Sequence, residues 1–249
     1  MKPPRRERAD LARPSRRVVD GDADRRSALK LIAVSRETEA RLADYVDRLH
    51  RWQTIKNLVG PSTLQEVWTR HIADSAQLVA LAPQARRWVD LGSGGGFPGL
   101  VIALLLHGQP DVQVDLIESS ERKCAFLREV VRATGAPARV HAGRIEAVVG
   151  VLGEGVEVVT SRALAALPEL LAMSAPLLDR GALGLFLKGD EEIQPNAVDP
   201  SGPIGASHAY HIEALPSRTH ARGRIVVVRR ADLWENGWRV ETRGGRNAE

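Results

Sequence analysis

An acid, a cluster of glycines and a second acid carry most of the chemistry this chain can offer. Asp90-Leu91-Gly92-Ser93-Gly94-Gly95-Gly96-Phe97-Pro98-Gly99 sets four glycines within five positions, directly after the apolar pair Trp88-Val89. Glycines leave no side chain between the backbone and a docked ligand. Pro98 suits the first turn of a following helix, where its missing N–H would have no partner anyway. The N–H groups at such a helix start form a polar cradle for a nucleotide-like ligand. Farther on, Glu118 closes the apolar run 112–117, and an acid at a strand end can accept both hydroxyls of a ribose. Without a ligand, the same segment reads as a tight strand-to-helix turn.

The spacing Gly94-x-Gly96-x-x-Gly99 fits a dinucleotide fingerprint, which alone is weakly specific. Asp90 separates the possibilities. Its carboxylate, two residues before Gly92, can meet the ammonium of a methionine moiety directly or through water, whereas it would repel a pyrophosphate. S-adenosylmethionine is therefore the favoured cofactor. An NAD(P)-dependent Rossmann oxidoreductase is the alternative, since Glu118 would serve either ribose. Phe97, at the end of the glycine run, reads as a wall of the same pocket.

Other chemistries find little support. Cys124 is not preceded by proline, so the nucleophile of cytosine C5 methylation is missing, and there is no Asn/Asp-Pro-Pro-aromatic motif of exocyclic amine methylation. His71 and Asp74 lie three apart and read as a helix-surface pair, while His208 and His211 lack Cys or acidic companions, so no metal is expected.

The elements that must position these groups emerge from the pattern. Strands are expected at 88–92, 112–118, 137–142, 156–160 and 182–188, alternating with helices at 98–107, 120–134 and 165–178. That alternation implies an α/β fold of Rossmann-like type, with a mostly parallel sheet and helices on both faces. Segments 207–214 and 224–230 read as two closing strands after a loop rich in Pro, Gly and Asp. Ahead of the sheet, Leu42, Tyr45, Val46, Leu49, Trp52 and Ile55 keep the rhythm of an amphipathic helix with Ser35 as its N-cap. Ser62-x-x-Gln65 reads as the capping box of a second helix carrying Val67, Trp68 and Ile72.

The division expected is a disordered basic arm at 1–30, a methyltransferase domain at 31–230 and a C-terminal tail at 231–249. Within the domain, 31–86 is a helical preface and 87–230 the core. The chain's 249 residues, 43% of them hydrophobic, suffice for one sizeable core. Of the net charge of +4, residues 1–30 carry +5 and the rest −1. The arm is read either as an electrostatic grip on RNA phosphates or as a solvated extension. A single cysteine fits a reducing cytoplasm, and the run 100–106 is too short to span a bilayer. Arg122 and Lys123 sit where a helix N-terminus disfavours cations, which points to a binding role. Lys188 ends the fifth strand and reads either as a contact to RNA phosphate or as a surface lysine. Arg218, Arg222, Arg224, Arg229 and Arg230 flank the last strand as a phosphate rim or as solvated strand ends.

The glycine segment also resembles the signature of the GidB/RsmG family of bacterial ribosomal RNA methyltransferases. Further matches occur in order: Asn57-Leu58, Arg70-His71-Ile72-x-Asp74-Ser75, Glu118-x-x-x-x-Lys123-x-x-Phe126-Leu127, Ser161-Arg162-Ala163 and Lys188-Gly189. Together they cover roughly residues 35 to 230. The resemblance implies methyl transfer from S-adenosylmethionine to N7 of a guanine in the decoding-region loop of 16S rRNA, on naked RNA or on the small subunit. It places Ile145 and Glu146 beside the adenine and makes Arg162 a cofactor or substrate contact. Guanine N7 is already a lone-pair nucleophile, so catalysis would be positioning with no general base. An electronegative rim would favour the charge that develops on the base. The expected cofactor-binding set is Asp90, Gly92, Gly94, Gly96, Phe97, Glu118, Ile145, Glu146 and Arg162. The expected substrate-binding set is Arg122, Lys123 and Lys188, in a cytoplasmic monomer with no membrane partner. A non-catalytic RNA-binding or ribosome-assembly protein is the other alternative.

Overall fold

The computed structural model describes residues 16–54, 58–189 and 209–234. Strands β1 (Arg87–Leu91), β2 (Gln113–Glu118), β3 (Ala138–Ala142), β4 (Val158–Arg162) and β5 (Leu183–Gly189) pair in parallel. Strands β6 (Tyr210–Pro216) and β7 (Gly223–Arg230) close the sheet in antiparallel fashion, in the order β3-β2-β1-β4-β5-β7-β6. The chain reverses its direction across the sheet between β1 and β4. Ligands of open α/β sheets bind beyond the strand ends at such a point.

Parallel strands are covered on both faces, so they read as apolar runs. On one face α2 (Arg36–Gln53), α3 (Asp74–Leu81), α4 (Gly99–Leu105) and α5 (Glu121–Thr134) pack Leu42, Tyr45, Leu100 and Phe126 against Leu116 and Leu185. On the other, α6 (Ile145–Val149) and α7 (Leu167–Leu178) pack Val149 and Leu170 against Val89, Val159 and Phe186. Each such large side chain contributes roughly 1.5–3 kcal/mol when taken out of water. Ser35 caps α2, its hydroxyl accepting the Thr38 N–H at 3.2 Å. Gly135, at φ +67°, ends α5 in the left-handed conformation that glycine adopts without strain.

Two expectations at the N-terminal side are corrected. Residues 16–31, most of them expected in a disordered arm, form helix α1 (Arg16–Leu31). The helix is highly polar, and its docking rests on a few points: fully buried Ala28, and Asp24 and Arg25 reaching the next segment. Sparse anchors of this kind leave no apolar periodicity to read. The second correction concerns 61–81. In place of an α-helix started by a capping box at Ser62, the chain opens as a 3₁₀ segment (Pro61–Glu66) with Gly60 at its N-cap and no side-chain cap. It then widens into a π turn (Trp68–Ala73) before α3 begins. The start of the expected tail is a short helix, α8 (Ala231–Trp234). Asn57, His208 and the rest of the tail lie outside the described residues.

Candidate functional site

The glycine loop joins β1 to α4 at the β1/β4 reversal, and several of its N–H groups are bonded within the protein. Ser93 N–H donates to the Ile117 carbonyl, Gly96 N–H to that of Ser93 and Leu100 N–H to that of Gly96. Gly94 N–H donates to Glu118 Oε2 at 3.0 Å, and Gly99 N–H to Asp90 Oδ2 at 3.2 Å. The N–H groups of Gly94 and Gly99 at the expected cradle are thus taken by carboxylates of the protein itself.

Asp90 departs from the expected role. It is almost fully buried, and its carboxylate accepts from the Thr160 hydroxyl at 3.0 Å and from Gly99 N–H. Burial raises its pKa to about 7, against the pull of its hydrogen bonds. A Cβ on Gly99 would meet Leu116 Cδ2 at 2.4 Å and Asp90 Oδ2 at 2.7 Å. Asp90 is thus the post that binds β1, β4 and the start of α4 together, and its charge does not face the cleft directly.

Gly94 is the opposite case. An added Cβ there would find only the Gly92 carbonyl oxygen, at 3.7 Å, so the space beside it is open. Glu118 lies against the same spot, fixed by Gly94 N–H and by Ser120 N–H at 2.7 Å. Each carboxylate oxygen keeps accepting capacity for hydroxyl donors. Gly92, at φ +66°, lies under Leu164, and a Cβ on Gly96 would meet the Tyr45 hydroxyl at 2.7 Å. Ile145 is half-buried and Glu146 exposed at the start of α6, after β3.

Phe97 is held between two rings, Tyr45 at 5.3 Å and His71 at 4.7 Å between centroids. The Tyr45 hydroxyl donates to the Gly95 carbonyl, pinning the loop from α2. His71 is buried, with Nε2 2.9 Å from the Thr63 hydroxyl and Nδ1 without a hydrogen-bond partner. Burial, reinforced by the nearby cations Arg162 and Arg70, drives its pKa down to about 3, so the imidazole is neutral.

Beyond β4 and β5 opens a pocket of about 350 Å³ whose lining includes Arg70, Arg162, Lys188, His220, Arg222 and Arg224. Its acid is Asp74. Asp74 Oδ2 sits 3.1 Å from Arg162 Nη1, a close ion pair whose N–H is not aligned on the oxygen. Asp74 Oδ1 accepts from Gln77, Ser217 and Thr219 at 2.7, 2.8 and 2.6 Å. One carboxylate therefore joins α3, the end of β4 and the β6–β7 turn. The lining of this pocket is predominantly cationic.

Hydrogen bonds join Asp90 and Glu118 to the glycine loop that runs into Phe97, and Arg162 and Lys188 line the pocket beyond β4 and β5. Lys188 is buried and donates to the Ala165 carbonyl. Arg122 and Lys123 lie on the first turn of α5 and do not line that pocket. His71 and Asp74 are not the surface pair expected of them; both are turned inward, toward Phe97 and Arg162 respectively. The ion-pair partner of Arg162 is Asp74. Tyr45, Ser217 and Thr219 are not legible as site residues in the sequence, because only the fold brings them to the loop and to Asp74. Among the described residues no group of three or more His, Cys, Asp or Glu is placed to hold a metal ion, and no helix is long and apolar enough to cross a membrane.

Comparison with known proteins agrees with this geometry. The family model for GidB, rRNA small subunit methyltransferase G, matches residues 38–200. Ribosomal RNA small subunit methyltransferase G of Methylobacterium nodulans is 54% identical over 207 residues, 83% of this chain and 95% of that protein. The enzyme of the same name from a Bradyrhizobium species is 54% identical over 208 residues, 83% and 90% of the two chains. Among solved structures, a putative O-methyltransferase from Klebsiella pneumoniae superposes with a TM-score of 0.57 at 18% identity, over 84% of this chain and 97% of its own. TomG from Streptomyces achromogenes gives a TM-score of 0.52 at 16% identity, over 88% and 100%. These two likenesses are of fold.

Proposed function

The chain belongs to the GidB family, the rRNA small subunit methyltransferases G, and on that premise we propose that it methylates N7 of a guanine in the decoding-region loop of 16S rRNA, using S-adenosylmethionine. The observation that carries the reading is the juxtaposition of an internally bonded glycine loop, braced by Glu118, with the cationic pocket at Arg162. The loop and Glu118 suit a nucleoside cofactor, and the cationic pocket suits a nucleic acid.

S-adenosylmethionine supplies an activated methyl group on a sulfonium. The chain's own residues do the positioning. Glu118 would accept the ribose hydroxyls, and the open space beside Gly94 would leave room for the cofactor. Ile145 and Glu146 would hold the adenine. Asp90 acts from behind by holding the loop. Arg162, Lys188 and the β6–β7 turn hold the RNA, Arg70 facing them. No residue needs to remove a proton, since N7 attacks through its own lone pair. The gain comes from orientation in a cleft shielded by Phe97, Tyr45 and His71. The cations match the phosphates of the RNA, while the acids Asp90 and Glu118 stand on the cofactor side. Residues 31–230 form the catalytic domain in this reading, acting as a monomer in the cytoplasm.

The test is incubation with small ribosomal subunits, or with naked 16S rRNA, and labelled S-adenosylmethionine, followed by nucleoside analysis. Label in N7-methylguanosine at one site supports the proposal. Label in another nucleoside, or none on either substrate, overturns it.

A further inference from the structure

Helix α1 precedes the segment matched by the family model, which begins at residue 38. It nevertheless reaches the elements that build the site. Asp24 Oδ2 accepts the backbone N–H of Trp68 at 2.8 Å, and Oδ1 accepts that of Thr69 at 3.2 Å together with the Thr69 hydroxyl. Its neighbour Arg25 holds the helix in place, with its guanidinium 5.0 Å over the Trp68 ring and 2.7 Å from Glu39 of α2. Ala28, one turn on, is fully buried.

These two N–H groups mark the place where the chain changes from 3₁₀ to π geometry. A π turn is rare, and it occurs most often as a single turn at a functional site. Where the hydrogen-bond step of a helix changes, acceptors and donors fall out of register, and donors at the break need a partner from elsewhere. The Asp24 carboxylate provides one for two consecutive residues. Next in the turn come Arg70, whose side chain lines the cationic pocket, and His71, stacked on Phe97. Asp74, directly after the turn, pairs with Arg162. Narrowing the turn to α geometry would rotate Arg70, His71 and Asp74 about the helix axis relative to Trp68. Phe97 and Arg162 would be parted from His71 and Asp74 together.

We propose that Asp24 is a positioning residue for the methyl transfer: by clamping the Trp68 and Thr69 N–H groups it fixes the π register that presents Arg70, His71 and Asp74 to the cleft. The inference rests on the rRNA methyltransferase reading above. It also gives part of the N-terminal extension a role distinct from contact with RNA, because the carboxylate acts on the protein's own backbone.

The experiment compares Asp24→Ala, Asp24→Asn and Arg25→Ala in the full-length protein. Arg25→Ala loosens the same helix and leaves the carboxylate in place. For Asp24→Ala, kcat on small-subunit rRNA is expected to fall at least tenfold with both substrates saturating, while S-adenosylhomocysteine affinity stays within about threefold. Asp24→Asn, which keeps one acceptor oxygen, is expected to fall between. Arg25→Ala is expected to lower the melting temperature comparably with kcat within about threefold. Amide exchange of residues 68–74 in the free protein gives a readout independent of activity, and it should accelerate in Asp24→Ala more than in Arg25→Ala. A kcat loss equal in Asp24→Ala and Arg25→Ala, or unchanged exchange over 68–74, overturns the clamp. Absence of methyl transfer by the unaltered protein instead overturns the functional reading, and the exchange result still decides the clamp.

Discussion

Glu118 Oε2 accepts the Gly94 N–H at 3.0 Å across 24 residues of sequence, so the acid that ends β2 also sets the shape of the loop that ends β1. Its other oxygen holds the Ser120 N–H ahead of α5. Replacing Glu118 by alanine removes a loop brace and, on the proposed function, a ribose acceptor at once. S-adenosylhomocysteine binding is expected to weaken by about 1.5–3 kcal/mol, the scale of hydrogen bonds to a charged acceptor. Glu118→Gln should lose less, since it keeps one acceptor. Titration calorimetry reads both, and an unchanged Kd for the alanine variant would put the ribose elsewhere.

Gly94 and Gly99 should fail in different ways. At Gly94 the surrounding space is open but φ is +55°. Gly94→Ala is therefore expected to cost on the order of 1–2 kcal/mol of backbone strain and to obstruct the cofactor. At Gly99 the added atom meets the β2 side chain Leu116 and Asp90 inside the fold, so Gly99→Ala should lower the melting temperature far more. Calorimetric affinity and thermal melts separate the two, and equal melting temperatures would contradict the assignment.

His71 should leave a mark on the pH dependence of stability. Its folded pKa, about 3, lies below the unfolded value near 6.5. The unfolded chain therefore takes up a proton before the folded one does, and the stability that His71 contributes, full above pH 6.5, is lost as pH falls toward 3. The wild type should lose stability relative to His71→Phe between pH 7 and pH 5. Parallel denaturation midpoints for the two proteins over that range would show that the imidazole titrates normally.

Arg222 and Arg224 stand on the turn and strand that face the cationic pocket. Replacing each by alanine should weaken rRNA binding and leave S-adenosylhomocysteine affinity unchanged. The slope of log affinity against log salt should flatten by about 0.7 for each single-strand phosphate that is no longer neutralised. An identical slope in the double variant would remove this turn from the RNA interface.

The centre of the sheet is legible in the sequence because strands buried on both faces read as apolar runs, β1 running into Gly92, β2 ending on Glu118 and β5 on Gly189. Glu118 and the glycine loop are legible for the same reason: their signal is local. Asp90 stands out in the sequence, but the direction its carboxylate takes does not; that depends on Thr160, brought alongside by β1–β4 pairing. Asp74 reads as a surface residue because its partners Ser217 and Thr219 lie 143 and 145 residues away. Helix α1 leaves no trace in the hydrophobic pattern because a few polar anchors hold it, and such a pattern cannot report those.

Asp74 has a thermodynamic consequence. With one oxygen on Arg162 and the other on the β6–β7 turn, and directly after the π turn whose His71 stacks on Phe97, it joins the glycine loop proposed to hold the cofactor to the wall proposed to hold RNA. Ligands that reach these two sides are then linked, and linkage is reciprocal: the factor by which bound cofactor tightens RNA is the factor by which bound RNA tightens cofactor. Cutting the tie, as in Asp74→Ala, would bring that shared factor toward one, by the same amount whichever ligand is titrated.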